Sequence, residues 1–496
     1  MLESVRQRYE AFPEPSPAVV PIGPGQLDRL DDNLHFGWSW SRHVYCYRRT
    51  EGLRVLDAGC GTGLTTLGLA RLNPGSHVLG VDATPRALEL ARSRAAASAP
   101  AEVEFRAHDL DDPLPAAWGP FDFIVCRGVL AESGDPTRVL KNLATVLDHR
   151  GLLHVTLPAQ VGHVPVRQMR QAVLTIAPPG SSLEQKAELG LELFRVLRPD
   201  HPIRRYEEAY SGKAVPSVAR FVTGYLNEDE RDWSLPQAIA LLESAGFRFL
   251  FAATRAPWRA DRALAGGAVP ATLKARVDGL GPRGLACLVD ALDPLLHADE
   301  YRVYACLAEY EPQVPAWTEE SRSEPAAVGR LIPHRTHLAE PVTPQAPSPQ
   351  AKVAYRVVTG AVGEVAQLSH LMVAHIDDAR SCEQIDALVA EATGVTESPE
   401  ERQKRWLELA GTGFVLFEPP DRRQYVDCVH LGPVLDRLDC ACPRRWVHAC
   451  EIHRHCTLAA VPPQDEKHVA LAQALTRLGT ARAAACAACP DYAPEE

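Results

Sequence analysis

One stretch, from Val55 to Gly63, constrains the possible folds more than any other part of the chain. An apolar run that contains an acid, Asp57, leads into the alternating glycines Gly59, Gly61 and Gly63, and leucines at helical spacing follow. Glycine adopts backbone conformations closed to other residues and lets the main chain approach a ligand. Strand, glycine turn and helix in this order predict the opening βαβ unit of a nucleotide-binding sheet.

The spacing of the glycines separates two kinds of ligand. The dinucleotide fingerprint has glycines at its first, third and sixth positions. Here the third glycine is at the fifth position, Gly63, and Leu64 occupies the sixth. Asp57, two residues before the first glycine, suits an ammonium group on the ligand rather than a phosphate. The alternative is a tight turn that holds no ligand.

Two further acids follow the next predicted strands. The segment 77–81 is apolar and ends at Asp82, which lies 25 residues after Asp57, about the spacing of a ribose-binding acid in a Rossmann-like unit. The segment 103–108 alternates as a third strand and ends at Asp109. Three acids near the ends of three strands favour a bound nucleoside over an empty turn.

The glycine turn and the three acids resemble motif I and the following motifs of the class I S-adenosylmethionine-dependent methyltransferases. The resemblance implies an α/β fold with a Rossmann-like, doubly wound sheet, a final antiparallel strand, and S-adenosyl-L-methionine as the cofactor. It implies that Asp82 binds the ribose hydroxyls, that Asp109 binds the adenine amine, and that the next backbone N–H reads the ring. The implied cofactor-binding residues are Asp57, Gly59, Cys60, Gly61, Gly63, Asp82, Ala83, Asp109, Leu110 and Cys126.

The segment after the fourth predicted strand, 126–133, is where the methyl acceptor meets the cofactor in this family. Many relatives have a His-His pair where this chain has Ala131 and Glu132, so no catalytic base can be transferred from the family. Glu132 is either a base or a solvated loop acid, and Arg127 either holds an acidic acceptor or braces the loop. The predicted activity is in-line methyl transfer to an unidentified small-molecule, peptide or protein acceptor. The alternative is a regulatory or scaffold protein that binds the cofactor without catalysis.

The length of 496 residues allows several domains. Strands and helices alternate over 51–158, a polar insertion covers 159–232, and the last strand of the first domain is expected at 301–307. Eight prolines between Pro312 and Pro349 indicate an extended linker without a core of its own. We therefore predict an N-terminal lid or helical segment (1–50), a methyltransferase domain (51–312), a Pro-rich linker (313–350), a winged-helix-like accessory module (351–427) and a Cys-rich tail (428–496). The accessory module has helix patterns at 365–375, 382–392 and 400–410 and a strand at 414–417, and it resembles a regulatory region found beside some bacterial methyltransferases.

The last 69 residues contain seven of the 13 cysteines. The C-x-C and C-x-x-C spacings allow two thiolates to reach one ion. The candidate ligands are Cys428, Cys440, Cys442, Cys450, Cys456, Cys486 and Cys489. Zinc, an iron–sulfur cluster and plain buried or redox thiols all remain open for this tail.

Charge and hydropathy restrict the partners. The net charge of −11 and the acids on the accessory helices disfavour nucleic acid. No apolar run approaches the roughly 18 residues of a membrane helix, and the N-terminus lacks the apolar core of a signal peptide. We expect a cytoplasmic protein without a membrane partner.

Overall fold

The structure, a computed structural model, describes residues 3–13, 52–73, 75–98, 103–211, 214–253, 270–292, 300–310, 323–335, 339–341, 352–357, 362–377, 379–411 and 414–418. The chain divides into two units. The first contains the described residues within 1–37 and 53–312, and the second contains Gly52 and the described residues from 323 onward.

The first unit is built on a seven-stranded sheet in the order β3-β2-β1-β4-β5-β7-β6. Its strands are β1 Arg54–Ala58, β2 His77–Asp82, β3 Val103–Ala107, β4 Phe121–Arg127, β5 Leu147–Pro158, β6 Phe247–Ala253 and β7 Glu300–Leu307. The first five strands are parallel, and β7 runs antiparallel to both β5 and β6. The chain order reverses between β1 and β4, and open α/β sheets bind ligands at such a switch point. The predicted Rossmann-like sheet with an antiparallel last strand is confirmed.

The helices that accompany this sheet are α1 Glu3–Ala11, α2 Leu64–Leu72, α3 Pro85–Ser98, α4 Val129–Glu132, α5 Pro136–Ala144, α10 Leu235–Ser244, α11 Ala271–Asp278 and α12 Pro282–Leu292. The central strands are buried along nearly their whole length, as their continuous apolar sequences require. Their main core includes Leu56, Ile124 and Val155, all with no exposed surface.

The strand β5 begins earlier than its sequence indicates. The apolar pattern of the sequence indicates a helix up to Leu147 and a strand from Gly151, whereas α5 ends at Ala144 and β5 starts at Leu147. Val146 and Leu147 are almost fully buried, and the β4–β5 register shifts between Phe121 and Phe123. A bulged strand buries these two side chains, and a local helical pattern cannot reveal that tertiary contact.

Between β5 and α10 lies a helical insertion with its own apolar core. It contains α6 Val164–Ile176, α7 Leu183–Val196, α8 Pro202–Ser211, α9 Val218–Arg220 and a π-helix, Phe221–Tyr225. Leu226 N donates to Phe221 O, five residues earlier in the chain, at 3.1 Å. Hydrogen bonds between residues five apart define a π-helix. The chain then returns to the sheet, where Trp233 N donates to Pro158 O at 2.9 Å. The insertion thus begins and ends at the carboxyl end of β5.

The second unit contains two small sheets and four helices among its described residues. They are α13 Pro325–Arg330, β8 Ile332–Arg335, β9 Ala339–Pro341, β10 Lys352–Val357, β11 Val362–Ala366, α14 Gln367–Ala374, α15 Cys382–Thr393, α16 Pro399–Gly411 and β12 Val415–Glu418. The sheets are β11-β10-β9 and β12-β8, both antiparallel. The three predicted helices and the strand lie within two residues of their expected bounds, and the winged-helix-like classification stays a prediction.

The predicted linker requires a correction. Residues 313–350 were expected to lack a core, but they contain α13, β8 and β9. Ala327, Val328 and Leu331 are at most 5% exposed, and Cys382 N donates to Leu331 O at 2.8 Å. Pro325 sits in the first helical turn, where its missing N–H costs nothing. The prediction of an extended spacer was thus wrong, because some of these prolines lie at the start of a helix or a strand.

The remaining predictions concern residues outside the described ranges. These are the aromatic part of the N-terminal segment and the whole Cys-rich tail, including Cys428, Cys440, Cys442, Cys450, Cys456, Cys486 and Cys489. Among the described helices, none combines the length and apolar character needed to cross a membrane.

Candidate functional site

The glycine turn between β1 and α2 is held on the end of β2. Gly59, Gly61 and Gly63 have φ of 84°, 49° and 83°, so all three require the left-handed region that glycine tolerates. Gly59 N and Cys60 N both donate to Val81 O, at 2.8 and 2.9 Å. A Cβ on Gly59 would lie 2.0 Å from Val129 Cγ2, so α4 packs directly against this turn.

Asp57 lies beneath the turn and is 1% exposed. Thr66 Oγ1, on α2, donates to Asp57 Oδ2 at 2.6 Å. This contact ties the strand to the following helix. Sequence reasoning did not identify Thr66, although a hydroxyl nine residues after the acid on an adjoining helix is a recognisable signal.

Asp82 and Asp109 lie at the same edge of the sheet and are partly exposed. Asp82 is the last residue of β2, and its carboxylate accepts from Gly61 N at 2.9 Å and from Thr84 N at 2.8 Å. Burial raises the pKa of Asp82 above its usual value, while these N–H donors lower it. Asp109, two residues past β3, accepts from Asp111 N at 3.0 Å. The structure therefore brings these two acids to the edge that also carries the glycine turn.

The other predicted cofactor contacts surround this edge. Ala83 follows Asp82 directly, Leu110 is 6% exposed, and Cys126 ends the buried part of β4 with no exposed surface. Burial raises the pKa of the Cys126 thiol to about 12 and also raises that of Cys60. Both side chains are neutral near pH 7 and provide apolar, not ionic, surface.

Glu132 is the last residue of α4, which follows β4 at the switch point. Its Oε1 accepts from Tyr9 OH at 3.0 Å and from Asn227 Nδ2 at 2.6 Å. Both hydrogen bonds fall on Oε1, so Oε2 receives neither of them. Val129 and Glu132 are three residues apart on one helix and so share a face, and Val129 is the residue that contacts Gly59.

A charged network surrounds this carboxylate. Arg8 is 7% exposed, donates through Nη1 to Asn227 Oδ1 at 2.5 Å, and lies 3.3 Å from Asp229. Arg231 N donates to Ala131 O at 3.0 Å, which fixes the segment 227–231 against α4. Sequence reasoning missed Tyr9 and Asn227, which lie 123 and 95 residues from Glu132 in the chain.

Burial raises the pKa of two acids in this network, Glu132 and Glu230. Burial, followed by the nearby negative charge of Glu230, raises the pKa of Glu132 to about 8, against the opposing effects of Tyr9 and Arg8. Burial likewise raises the pKa of Glu230 to about 7, although Arg170 lies 3.7 Å away. His163, 3.6 Å from Glu230, has its pKa lowered by burial to about 4. Acids with pKa values raised in this way are candidates for proton transfer.

Arg127, the other catalytic candidate, ends β4 and is partly buried. The structure places it one residue before Gly128, whose N–H donates to Thr156 Oγ1 at 3.1 Å. Within the described parts of the chain no cluster of metal-ligating side chains is present.

Comparison with known proteins identifies the family of the chain. A family model described as a methyltransferase domain matches residues 49–189. An uncharacterized protein of Synechococcus sp. is 30% identical over 320 residues, which are 62% of this chain and 73% of that protein. The magnesium-protoporphyrin O-methyltransferase of Rhodobacter capsulatus is 42% identical over 94 residues, or 18% of this chain and 40% of that enzyme.

Two further proteins, one matched by sequence and one by structure, align with different shares of this chain. The ubiquinone biosynthesis O-methyltransferase of Xanthomonas axonopodis pv. citri is 33% identical over 117 residues, 23% of this chain and 48% of that enzyme. The chain thus matches less than half of each named O-methyltransferase. The structure of PKMT2 from Rickettsia typhi has the same fold, with a TM-score of 0.53 and 16% identity over 78% of this chain and 76% of that one. These matches agree with the glycine turn and with the acids at one sheet edge. The chain therefore belongs to the class I S-adenosylmethionine-dependent methyltransferases.

Proposed function

We propose that the protein binds S-adenosyl-L-methionine at the glycine turn and transfers its methyl group to an oxygen or nitrogen acceptor that carries a proton. The acceptor is a small molecule, a peptide or a protein. The observation that carries the proposal is the position of Glu132. This acid is partly buried, two donors bind one of its oxygens, and it lies on the helix that packs on the glycine turn.

The residues of the sheet edge fit this cofactor by their chemistry. Hydroxyl and amine groups of an adenosine are donors, and Asp82 and Asp109 present carboxylate acceptors at one edge. The left-handed turn at Gly59, Gly61 and Gly63 allows close approach of the backbone. Asp57 is bound to Thr66 and is almost fully buried, so we propose that it supports the turn from below. When bound, the cofactor supplies an activated methyl group on a positively charged sulfur.

The protein itself then has two tasks, to orient the acceptor and to remove its proton. Positioning supplies most of the acceleration when the donor is already activated. Glu132 takes the proton on Oε2, while Tyr9 and Asn227 keep Oε1 in place. A base with a pKa near the operating pH transfers protons most effectively, and the pKa of Glu132 is raised to about 8.

A labelled-methyl assay tests this function. The full chain is incubated with methyl-labelled S-adenosylmethionine and fractionated cell extract, and labelled products are identified by mass spectrometry. We expect a product whose formation falls about 10²–10⁴-fold in Glu132→Gln, the usual contribution of a general base. The control Glu228→Gln, which neutralises an exposed acid in the neighbouring segment, should retain activity.

Cofactor binding without any labelled product in any fraction would instead support the alternative, a catalytically silent binding protein. The replacement of a His-His pair by Ala131 and Glu132 is the feature that favours this reading. The raised pKa of Glu132 and its two donors favour catalysis, because acids with perturbed pKa values cluster at catalytic sites.

We also propose that the Cys-rich tail binds zinc or an iron–sulfur cluster through Cys428, Cys440, Cys442, Cys450, Cys456, Cys486 and Cys489. The paired spacings of these thiols support it. Elemental analysis of the full chain, purified without a chelator or a histidine tag, should show bound zinc or iron, and Cys440→Ser should lower the metal content. Metal near zero, with every thiol titratable in the native protein, would leave plain thiols as the explanation.

A further inference from the structure

We propose that Glu132 responds to the charge of the bound cofactor: it releases its proton when the sulfonium form binds and keeps it when the neutral thioether product is bound. This inference rests on the proposed function and names a regulation of the same site. It would make the base available only when a methyl group is present to be transferred.

The first support is the asymmetric binding of the Glu132 carboxylate. Asn227 Nδ2 can only donate, and it bonds to Oε1 at 2.6 Å, where Tyr9 OH also donates at 3.0 Å. Oε1 therefore acts as an acceptor in both protonation states. The proton must come and go at Oε2, without any rearrangement of the network.

The second support is that Glu132 and the residue that contacts the glycine turn lie on the same short helix. Val129 Cγ2 occupies the space where a Cβ on Gly59 would lie. Glu132 is on the same face of α4, one turn further along. A charge on a ligand held by the glycine turn would therefore lie close to α4, and charges between partly buried groups are screened less than exposed ones.

The third support is the balance of charges that face Glu132. From α1 come Arg8 and Tyr9, and from the segment after the π-helix come Asp229 and Glu230. Burial and the two acids outweigh Arg8, so the pKa of Glu132 is raised to about 8. A positive charge within about 4–6 Å lowers the pKa of an acid by about 1–3 units. A lowering of the Glu132 pKa by about one unit would convert this acid from mostly neutral to mostly ionised near pH 7.5.

The cycle conserves atoms and charge. Binding of the sulfonium form expels one proton from Glu132 Oε2 to solvent. In the transfer step the acceptor X–H loses its proton to Oε2, the X–C bond forms, and the S–C bond breaks with its electron pair left on sulfur. One positive and one negative charge have then disappeared, and neutral Glu132 faces a neutral thioether.

Calorimetry on the full chain tests the proposal without an acceptor. Binding of S-adenosylmethionine and of S-adenosylhomocysteine is measured at pH 7.5 in two buffers of different ionisation enthalpy, which gives the number of protons released. We expect the sulfonium form to release roughly half a proton more for a pKa shift of about one unit. The amino group of either ligand titrates at a similar pH, so the decisive quantity is the wild-type difference minus that of Glu132→Gln.

Three variants sharpen the test. Glu132→Gln should abolish the excess release attributable to the protein, and Glu228→Gln, an exposed acid nearby, should preserve it. Glu230→Gln removes a negative charge that raises the pKa of Glu132, so the excess release should reach its maximum at a lower pH. This last measurement does not depend on whether Glu132→Gln folds.

The outcomes separate the two proposals. An excess release equal in wild type and Glu132→Gln overturns the coupling and leaves the proposed methyl transfer intact. If Glu132→Gln does not fold, an excess whose pH profile is the same in wild type and Glu230→Gln overturns it equally. Failure of both ligands to bind the folded wild-type chain would overturn the proposed function itself.

Discussion

At the scale of single residues, Glu132 makes folding depend on pH. Its pKa is about 8 in the folded protein and near 4.5 when unfolded. Between these values the folded chain holds a proton that the unfolded chain loses, so the free energy of unfolding falls as pH rises from about 4.5 to about 8, by at most about 1.4 kcal/mol per pH unit. Below this window both states are protonated and the full stability is present.

Glu132→Gln should therefore show a shallower decline of stability over this window than wild type, measured by urea unfolding at pH 5 to 9. Glu230 changes the free energy of unfolding with pH in the same direction as Glu132, and His163, whose pKa is lowered, changes it in the opposite direction. The comparison between variants is therefore decisive. Glu228→Gln is the matched control. Parallel curves for wild type and Glu132→Gln would show that Glu132 is ionised normally in the folded chain.

Asp82 allows a second prediction at this scale. Its carboxylate accepts from the turn at Gly61 N and would also accept from the ribose. Asp82→Ala should weaken S-adenosylmethionine binding by about 1–3 kcal/mol, because a buried donor loses its partner. Calorimetry measures the two affinities, with Asp112→Ala, an exposed acid in the segment after β3, as the control. Equal affinities for wild type and Asp82→Ala would remove this acid from the site.

At the scale of elements, the helical insertion positions Asn227 through close packing of α7 on the π-helix. A Cβ on Gly190 would lie 1.9 Å from Phe221 Cζ, and Phe221 has no exposed surface. Gly190→Ala should destabilise the protein by about 1–3 kcal/mol through overpacking. Urea unfolding should show this loss, while Glu188→Ala on the exposed side of α7 should change stability by less than about 0.5 kcal/mol.

The same substitution also tests the link from the insertion to the site. Asn227 follows the π-helix by two residues, so a displaced Phe221 should disturb the bond from Asn227 to Glu132. We expect Gly190→Ala to reduce the shift in the pKa of Glu132 as well as stability. A variant that is as stable as wild type would show that the two helices separate without cost.

At the scale of the whole molecule, the first unit should fold alone. Its described residues form a continuous sheet and three apolar clusters, and the second unit has a separate core. A fragment of residues 1–312 should be soluble and unfold cooperatively, with a transition that rises when S-adenosylmethionine is added. An insoluble or molten fragment would mean that the second unit completes the core of the first.

Much of the site could be predicted from local sequence. The placement of the glycine turn, Asp82 and Asp109 at one sheet edge could be predicted, because each lies near the end of a strand and a strand is encoded by a short apolar run. Their roles in binding the cofactor stay predictions. The three accessory helices were found for the same reason. Pro325 and Pro333 misled the prediction, because a proline at the start of a helix and one in an extended spacer look alike in sequence.

The sequence by itself determined the fold class and the sheet edge that carries the glycine turn, since backbone requirements of glycine and apolar periodicity act over a few residues. Only the tertiary structure decided the surroundings of Glu132. Its hydrogen bonds come from Tyr9 and Asn227, 123 and 95 residues away, and its neighbour Glu230 follows a π-helix that no local pattern predicted. Burial and charge at a carboxylate are sums over such distant groups, so an acid in a loop and a poised base have the same local sequence.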